Sequence, residues 1–388
     1  MEEFNFDNSL LEDFASCEAK GIVKHALGRV SRNKKYAADL GNAGHKAMKV
    51  YFSGQGKDAA MQVFGVEYDK VIPPGEMPNS DKAEMMERGN LTTIMEQYFD
   101  TMPLGRFPFE VIETEKVKGV EIGDGLKLWY TRDMLVRERV TGEILPLDHK
   151  FRFGTITSWW TGKFKNGSQF TCYLWCTEQE TGSPTSKQYV NAVSFNKLPD
   201  SPKKCKTHKV PFSECRKEHC DFQLLTYSRT SEQLAKWRRE VEVKAKQARV
   251  LIRGFGKKEL LPFAPRTGTF NGGCVFCEFQ EWCRNGFDPA MMEEYTVEGW
   301  WRPWENGEEG EQEGLSGTPL GIKWFYRQVN DEVKPALVKP GENWLEITEA
   351  MGLKSLWHKG REVWMRVWQE CPQAQEAMAR WAREQQGG

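Results

Sequence analysis

The sequence contains no apolar run approaching the length needed to cross a membrane. Its first residues, Met1-Glu2-Glu3-Phe4, lack the basic and apolar regions of a secretory signal. The expectation is a protein of the reducing cytoplasm with no membrane partner. In that compartment ten cysteines are unlike a disulfide framework and more plausibly include metal ligands. Net charge is also nearly absent, −1 over 388 residues, so the total argues neither for nor against a polyanionic partner. No internal repeat stands out. Hydrophobic residues at 39% and charged residues at 28% fit a globular chain, long enough for two domains or for one large domain with an extension.

What charge there is lies unevenly. Residues 201–258 hold 16 Lys and Arg against 6 Asp and Glu, a local balance of +10, whereas residues 290–314 hold 1 against 8, a balance of −7. A basic segment followed by an acidic one suits a polyanion-binding body with an acidic linker. Its competitor is a solvated helix face beside a solvated linker.

Along the chain, Ser9-Leu10-Leu11-Glu12 has a capping-box pattern and opens a helix through Cys17. Residues 41–52 form a second helix, with His45 in its first turn. Residues 53–80 carry the Gly and Pro punctuation of a loop, and residues 81–99 read as a helix. Strands are expected at 109–118, 126–136, 144–150, 189–195 and 222–227, with a helix around residues 169–173. Thr230-Ser231-Glu232-Gln233 caps a long helix with apolar positions at Leu234, Trp237, Val241, Ala248 and Ile252. Helices followed by a meander of strands give a mixed α/β core. An acidic, Gly-rich linker is expected at 290–316. Beyond it, residues 317–388 read as a Trp-rich, mostly helical extension.

Two stretches carry chemistry. In Ile144-Leu145-Pro146-Leu147-Asp148-His149-Lys150 a buried strand ends in charge. Alternation puts Asp148 and Lys150 on one face and Leu147 and His149 on the other. The pair is either a strand-end salt bridge or a holder of metal and water. In Cys274-x2-Cys277-x5-Cys283 three thiols sit at short spacing, as soft metals or clusters require. A fourth ligand is needed, and Cys17 is the candidate; four thiolates suit an iron–sulfur cluster.

A solitary N-terminal helical Cys, then His, Asp, Asp-x-Lys and Gln-x3-Tyr, then a late Cys-x2-Cys-x5-Cys follow one another in this order. Over residues 9–286 this arrangement resembles the RecB-like branch of the PD-(D/E)XK nucleases that carry an iron–sulfur staple, including CRISPR-adaptation nucleases, the AddB helicase–nuclease subunit and phage-encoded exonucleases. The resemblance implies a restriction-endonuclease-like core sheet flanked by helices over residues 1–289. It implies that His45, Asp133, Asp148 and the His149 carbonyl hold Mg²⁺ or Mn²⁺. Asp133, Asp148 and Lys150 would be the catalytic set, supported by Gln169 and Tyr173. Cys17, Cys274, Cys277 and Cys283 would bind a [4Fe-4S] cluster. The implied activity is metal-dependent hydrolysis of DNA, as an exonuclease on single strands or duplex ends, with a helicase, recombinase or integrase as a further partner. The competing reading is a cleavage-incompetent iron–sulfur DNA-binding subunit of a larger helicase–nuclease or integration complex. The chain departs from the family pattern at Tyr130, where a Gly is usual, at Pro146 inside the motif strand, and after Cys17, which lacks a following Pro-Arg.

A second group, Cys205-x2-His208-x6-Cys215-x3-His219-Cys220, lies in a Lys-rich insert between two expected strands. Zinc could organise it. The spacing is irregular, and a plain basic loop is the competing reading.

Overall fold

The structure is a computed structural model. It describes residues 3–306 apart from 33–35, 79, 186 and 301, together with the backbone of 323–329 and 332–338. The chain divides into two compact units, residues 1–45 with 75–312 and residues 46–74 with 313–388.

The strands of the first unit are β1 (Phe4–Asp7), β2 (Arg29–Ser31), β3 (Phe109–Thr114), β4 (Val117–Gly123), β5 (Leu126–Thr131), β6 (Met134–Glu138), β7 (Ile144–Phe153), β8 (Lys187–Phe195), β9 (Phe222–Ser228) and β10 (Thr296–Glu298). The principal helices of the described chain are α1 (Asn8–Ser16), α2 (Tyr36–Val50), α3 (Gly56–Val71), α4 (Arg88–Thr101), α5 (Ser168–Thr181) and α6 (Ser231–Phe255). The fold is mixed α/β, as expected.

The main sheet has the order β3-β6-β7-β8-β9. Its neighbours are antiparallel except β7 and β8, which run parallel. A parallel pair needs a crossover, and the chain between them supplies α5. A second sheet has the order β1-β5-β4. Pro146 sits opposite Leu135 and leaves the β6–β7 register unbroken.

The core lies where α1, α5 and α6 meet the second sheet, around Phe6, Leu10, Leu128, Leu174, Trp237 and Trp282. Helix α6 starts at the expected capping box, Thr230 with Gln233. It buries Leu234, Trp237, Val241, Ala245 and Ala248, a period that keeps one face inward. Part of its basic surface is neutralised at home. Arg238 lies 3.0 Å from Glu242, and Lys246 2.6 Å from Asp124.

Several local expectations are corrected. Helix α1 is capped by Asp7, whose side chain accepts from Leu10 N–H at 2.8 Å, rather than by Ser9. The chain leaves β1 extended at Asp7, so the cap falls there. The strand expected at 109–118 is two strands, split where Glu115 takes φ +41°. The run 126–136 is likewise split at Arg132-Asp133, where the chain passes from the second sheet to the first. Residues 290–298, expected in the linker, are folded: β10 pairs with β2, and Arg29 donates to the buried Thr296 hydroxyl at 3.1 Å.

In the second unit, the expected loop 53–80 contains α3. Gly54 and Gly56, both at φ +86°, turn the chain into it, and Ala60, Phe64 and Tyr68 recur four apart as buried positions. Part of the C-terminal extension is a hairpin, β11 (Lys323–Val329) with β12 (Glu332–Val338), rather than helix. The helix expected around Trp357, Trp364, Trp368 and Trp381 lies outside the described residues. Among the described residues, no helix is long and apolar enough to cross a membrane.

Candidate active site

Strand β7 is flanked on both sides along only part of its length. It pairs with β6 from Ile144 to Leu147 and with β8 from Leu147 to Phe153. The β6 ladder stops at Met134, because the preceding residues turn away into β5. A notch therefore opens beside the second half of β7, and Asp133 stands at its corner.

Three side chains converge there. Asp133 Oδ2 accepts the backbone N–H of His149 at 2.6 Å and lies 3.1 Å from His45 Nδ1. The β3–β4 turn supplies Glu115, whose N–H donates to the Asp133 carbonyl at 3.0 Å. One ligand atom each from His45, Glu115 and Asp133 lie within 4.8 Å of one another. The carbonyl of an extended residue leaves the strand on the same edge as its N–H, so that of His149 opens toward the same notch.

Asp148 and Lys150 share the other face of β7. Lys150 Nζ is 2.8 Å from Asp148 Oδ2, and Asp148 is only 2% exposed. Asp148 does not join the set of three, but the charges of Asp133 and His45 reach it. Burial pushes the Asp148 carboxyl up to about 6, against the pull of Lys150 and with the push of Asp133. Burial would raise Asp133 too, but His45 beside it outweighs that and holds it below the usual carboxylate range. The same pair raises His45, although burial acts in the opposite direction. Burial also works against charge on Lys150, yet Asp148 and Asp133 outweigh it and raise its ammonium. Two neighbouring carboxyls pushed apart in this way is a pattern common at catalytic sites. His149 is pushed down to about 3 by burial and stays neutral. Asn191 Nδ2 donates to its Nδ1 at 2.8 Å, and to Tyr98 Oη at 2.7 Å.

Gly44 lets α2 approach the sheet. A Cβ there would come within 2.5 Å of the Phe151 ring. The His45 ring meets the same phenylalanine edge-on, with centroids 5.2 Å apart. On the Lys150 face, Gln169 donates to Tyr173 Oη at 2.8 Å, and Tyr173 donates to the Thr131 carbonyl at 2.8 Å. Burial raises the Tyr173 phenol far above its ordinary value. Gln169 and Tyr173 line a cavity of about 250 Å³ with Glu12, Trp129 and Thr131.

Cys17, Cys274, Cys277 and Cys283 carry free thiols and line one cavity of about 510 Å³. The segment before Cys274 reaches back to the N-terminal helices. Thr267 donates to Glu18 through both its N–H and its hydroxyl, and Asn271 donates to the Ser16 carbonyl at 3.1 Å. Cys172 and Cys176 are core residues with Sγ atoms 3.8 Å apart.

Residues 8–284 match the family model described as the PD-(D/E)XK nuclease superfamily. The chain belongs to the PD-(D/E)XK nuclease superfamily. Members are generally metal-dependent nucleases. A solved structure of a candidate exonuclease from Eubacterium rectale is similar at 16% identity and a TM-score of 0.38, covering 64% of this chain and 82% of that one. No curated protein matches the sequence. The nuclease brings together His45 with Asp133, Asp148 with Lys150, Gln169 with Tyr173, and Cys17 with the late cysteines. It also brings in Glu115, which sequence reasoning missed. Glu115 lies inside a stretch read as continuous strand, and only recognising the turn there would have freed its side chain for a site.

Proposed function

We propose that this nuclease is a divalent-metal-dependent deoxyribonuclease of the RecB-like, iron–sulfur-stapled branch, acting as an exonuclease on DNA ends or single strands. The observation that carries the reading is the convergence of His45, Glu115 and Asp133 at the notch in β7, next to the Asp148–Lys150 pair. Two carboxylates and an imidazole are the donors that Mg²⁺ or Mn²⁺ takes, the imidazole favouring Mn²⁺. Asp133, His45 and Glu115 would hold the ion, with the His149 carbonyl opening toward the same notch and Asp148 adding its charge from beside it. When bound, the ion supplies water activation and charge neutralisation at the scissile phosphate.

The chain's own residues do the rest. Lys150, kept protonated by Asp148 and Asp133, offsets the negative charge that develops on the phosphate oxygens and orients the attacking water. Tyr173, tied to Gln169 and to the end of β5, braces the strand end that leads to Asp133. Trp159, 67% exposed with Lys163 Nζ 3.9 Å from its ring centroid, offers a stacking surface for a base. The four cysteines fit a [4Fe-4S] cluster. All four are free thiols lining one cavity of about 510 Å³, the soft donor set that such a cluster takes.

The test is Mg²⁺- and Mn²⁺-dependent cleavage of end-labelled single-stranded and duplex DNA, with closed circular DNA as control. Progressive shortening of the linear substrates, with circles intact and activity lost in Asp148→Ala, is expected. Activity in Asp148→Ala equal to that of the unmutated protein contradicts the reading.

A further inference from the structure

The insert between β8 and β9 runs for 26 residues, from Asn196 to Asp221. It has almost no core of its own: its only buried apolar or thiol side chains are Leu198, Cys205 and Cys215. A segment this small needs a cross-link or a metal to hold one shape. Two short elements point four ligand-type side chains at one spot. A tight hairpin, closed by Cys205 N–H to the Val210 carbonyl at 2.7 Å and turned by Lys209 at φ +63°, presents Cys205 and His208. The short helix Arg216–His219 and the residue before it present Cys215 and His219, four apart.

We infer that Cys205, His208, Cys215 and His219 form a structural zinc site, separate from the nuclease centre and from the Cys17 cavity. Cys205 Sγ lies 3.6 Å from His208 Nδ1 and 3.5 Å from His219 Nε2, and Cys215 Sγ lies 3.3 Å from the same Nε2. All four ligand atoms fall within 4.8 Å of one another. Around a tetrahedral zinc, with sulfur at about 2.3 Å and nitrogen at about 2.05 Å, the sulfur–nitrogen edge is ~3.6 Å. The two imidazoles stand edge to face, centroids 5.3 Å apart at 79°, as two ligands on one centre can. The thiols are free, so no disulfide supplies the cross-link. Cys220, next to His219 in sequence, is not one of the four.

The charge balance fits the surroundings. Two thiolates and Zn²⁺ cancel, so the centre is neutral and the insert keeps its excess of 6 Lys and Arg over 2 Asp and Glu across residues 203–220. Arg216 anchors the result to α4, donating to Asn90 Oδ1 at 3.3 Å. The site would therefore give the basic insert one shape against α4.

The test is zinc and iron content per chain, by plasma mass spectrometry, of the full-length protein purified anaerobically from zinc-supplemented cells. About one zinc is expected in the unmutated chain. Cys205→Ser/Cys215→Ser should lose it and keep its iron, whereas Cys274→Ser/Cys277→Ser should keep the zinc. His219→Cys should retain zinc, since a three-thiolate, one-imidazole set still binds it. If the double variant fails to fold, Co²⁺ is added to chelator-stripped unmutated protein and to its Cys274→Ser/Cys277→Ser variant, where intense tetrahedral d–d bands displaced by Zn²⁺ are expected from both. No zinc in the unmutated chain, zinc retained in Cys205→Ser/Cys215→Ser, or no tetrahedral cobalt bands overturns the assignment.

Discussion

Asp133 shows what a single residue gains from where its strand ends. In the sequence it lies inside an apolar run that reads as continuous strand. In the fold it is the first residue off β6, with His45 at 3.1 Å and the His149 amide at 2.6 Å. Asp148 and Lys150 were legible because a period of two is robust; Glu115 was not, because a turn with φ +41° leaves little trace in composition. A second buried carboxylate, Asp13, illustrates a different role. It receives Lys20 at 2.7 Å, Lys24 at 2.6 Å and His25 at 2.9 Å, just before Cys17. Burial alone would raise Asp13, but His25 and the two lysines outweigh it and hold it well below the usual range. A depressed folded-state value stabilises above the unfolded value of about 3.9, and that stability is lost as pH falls toward the folded value. Asp13→Asn is therefore expected to cost about 2–3 kcal/mol at pH 7. The gap from the unmutated protein should close below about pH 4. Denaturant melts across that range check it; a gap that widens on acidification contradicts it.

Among the elements, β7 and α2 decide whether the site forms. Strand β7 accommodates Pro146 with its register against β6 unbroken, and β8 joins it only from Leu147 on. Helix α2 reaches Phe151 only because residue 44 has no side chain: its Cβ would sit 2.5 Å from the ring, whereas one on Gly41 would meet nothing closer than 4.0 Å. Gly44→Ala is expected to destabilise by about 1–3 kcal/mol through overpacking. By displacing His45 it should lower cleavage about tenfold or more. Gly41→Ala should leave cleavage unchanged and gain up to about 1 kcal/mol from helix propensity. Paired melting and cleavage assays separate the two; equal effects at both positions contradict this packing account. Helix α6 and its cap were readable from period and composition, whereas the cap of α1 falls at Asp7, where β1 ends, and not at Ser9. The loop assigned to residues 53–80 was misread because Gly and Pro at its ends hid the four-residue spacing of Ala60, Phe64 and Tyr68.

Across the whole molecule, distant segments have to meet, and here sequence alone supplied only ligand types and order. Cys17 and Cys274 are 257 positions apart, and what joins them is visible only in the contacts of Thr267, Asn271 and Gly268 with residues 16–18. A cluster held there closes nearly the entire nuclease body into one loop. Cys17→Ala is expected to abolish bound iron and to lower melting by roughly 5 °C or more; iron loss with unchanged melting would show that the staple carries no stability. The central claim is that Asp133 and its neighbours hold the ion while Lys150 acts on the phosphate. It is tested most directly by measuring Mn²⁺ binding and DNA cleavage side by side in Asp133→Asn and Lys150→Ala. Asp133→Asn should lose both. Lys150→Ala should bind Mn²⁺ as the unmutated chain does and lose cleavage by about 10²-fold or more. Full cleavage in Lys150→Ala, or undiminished Mn²⁺ binding in Asp133→Asn, contradicts it.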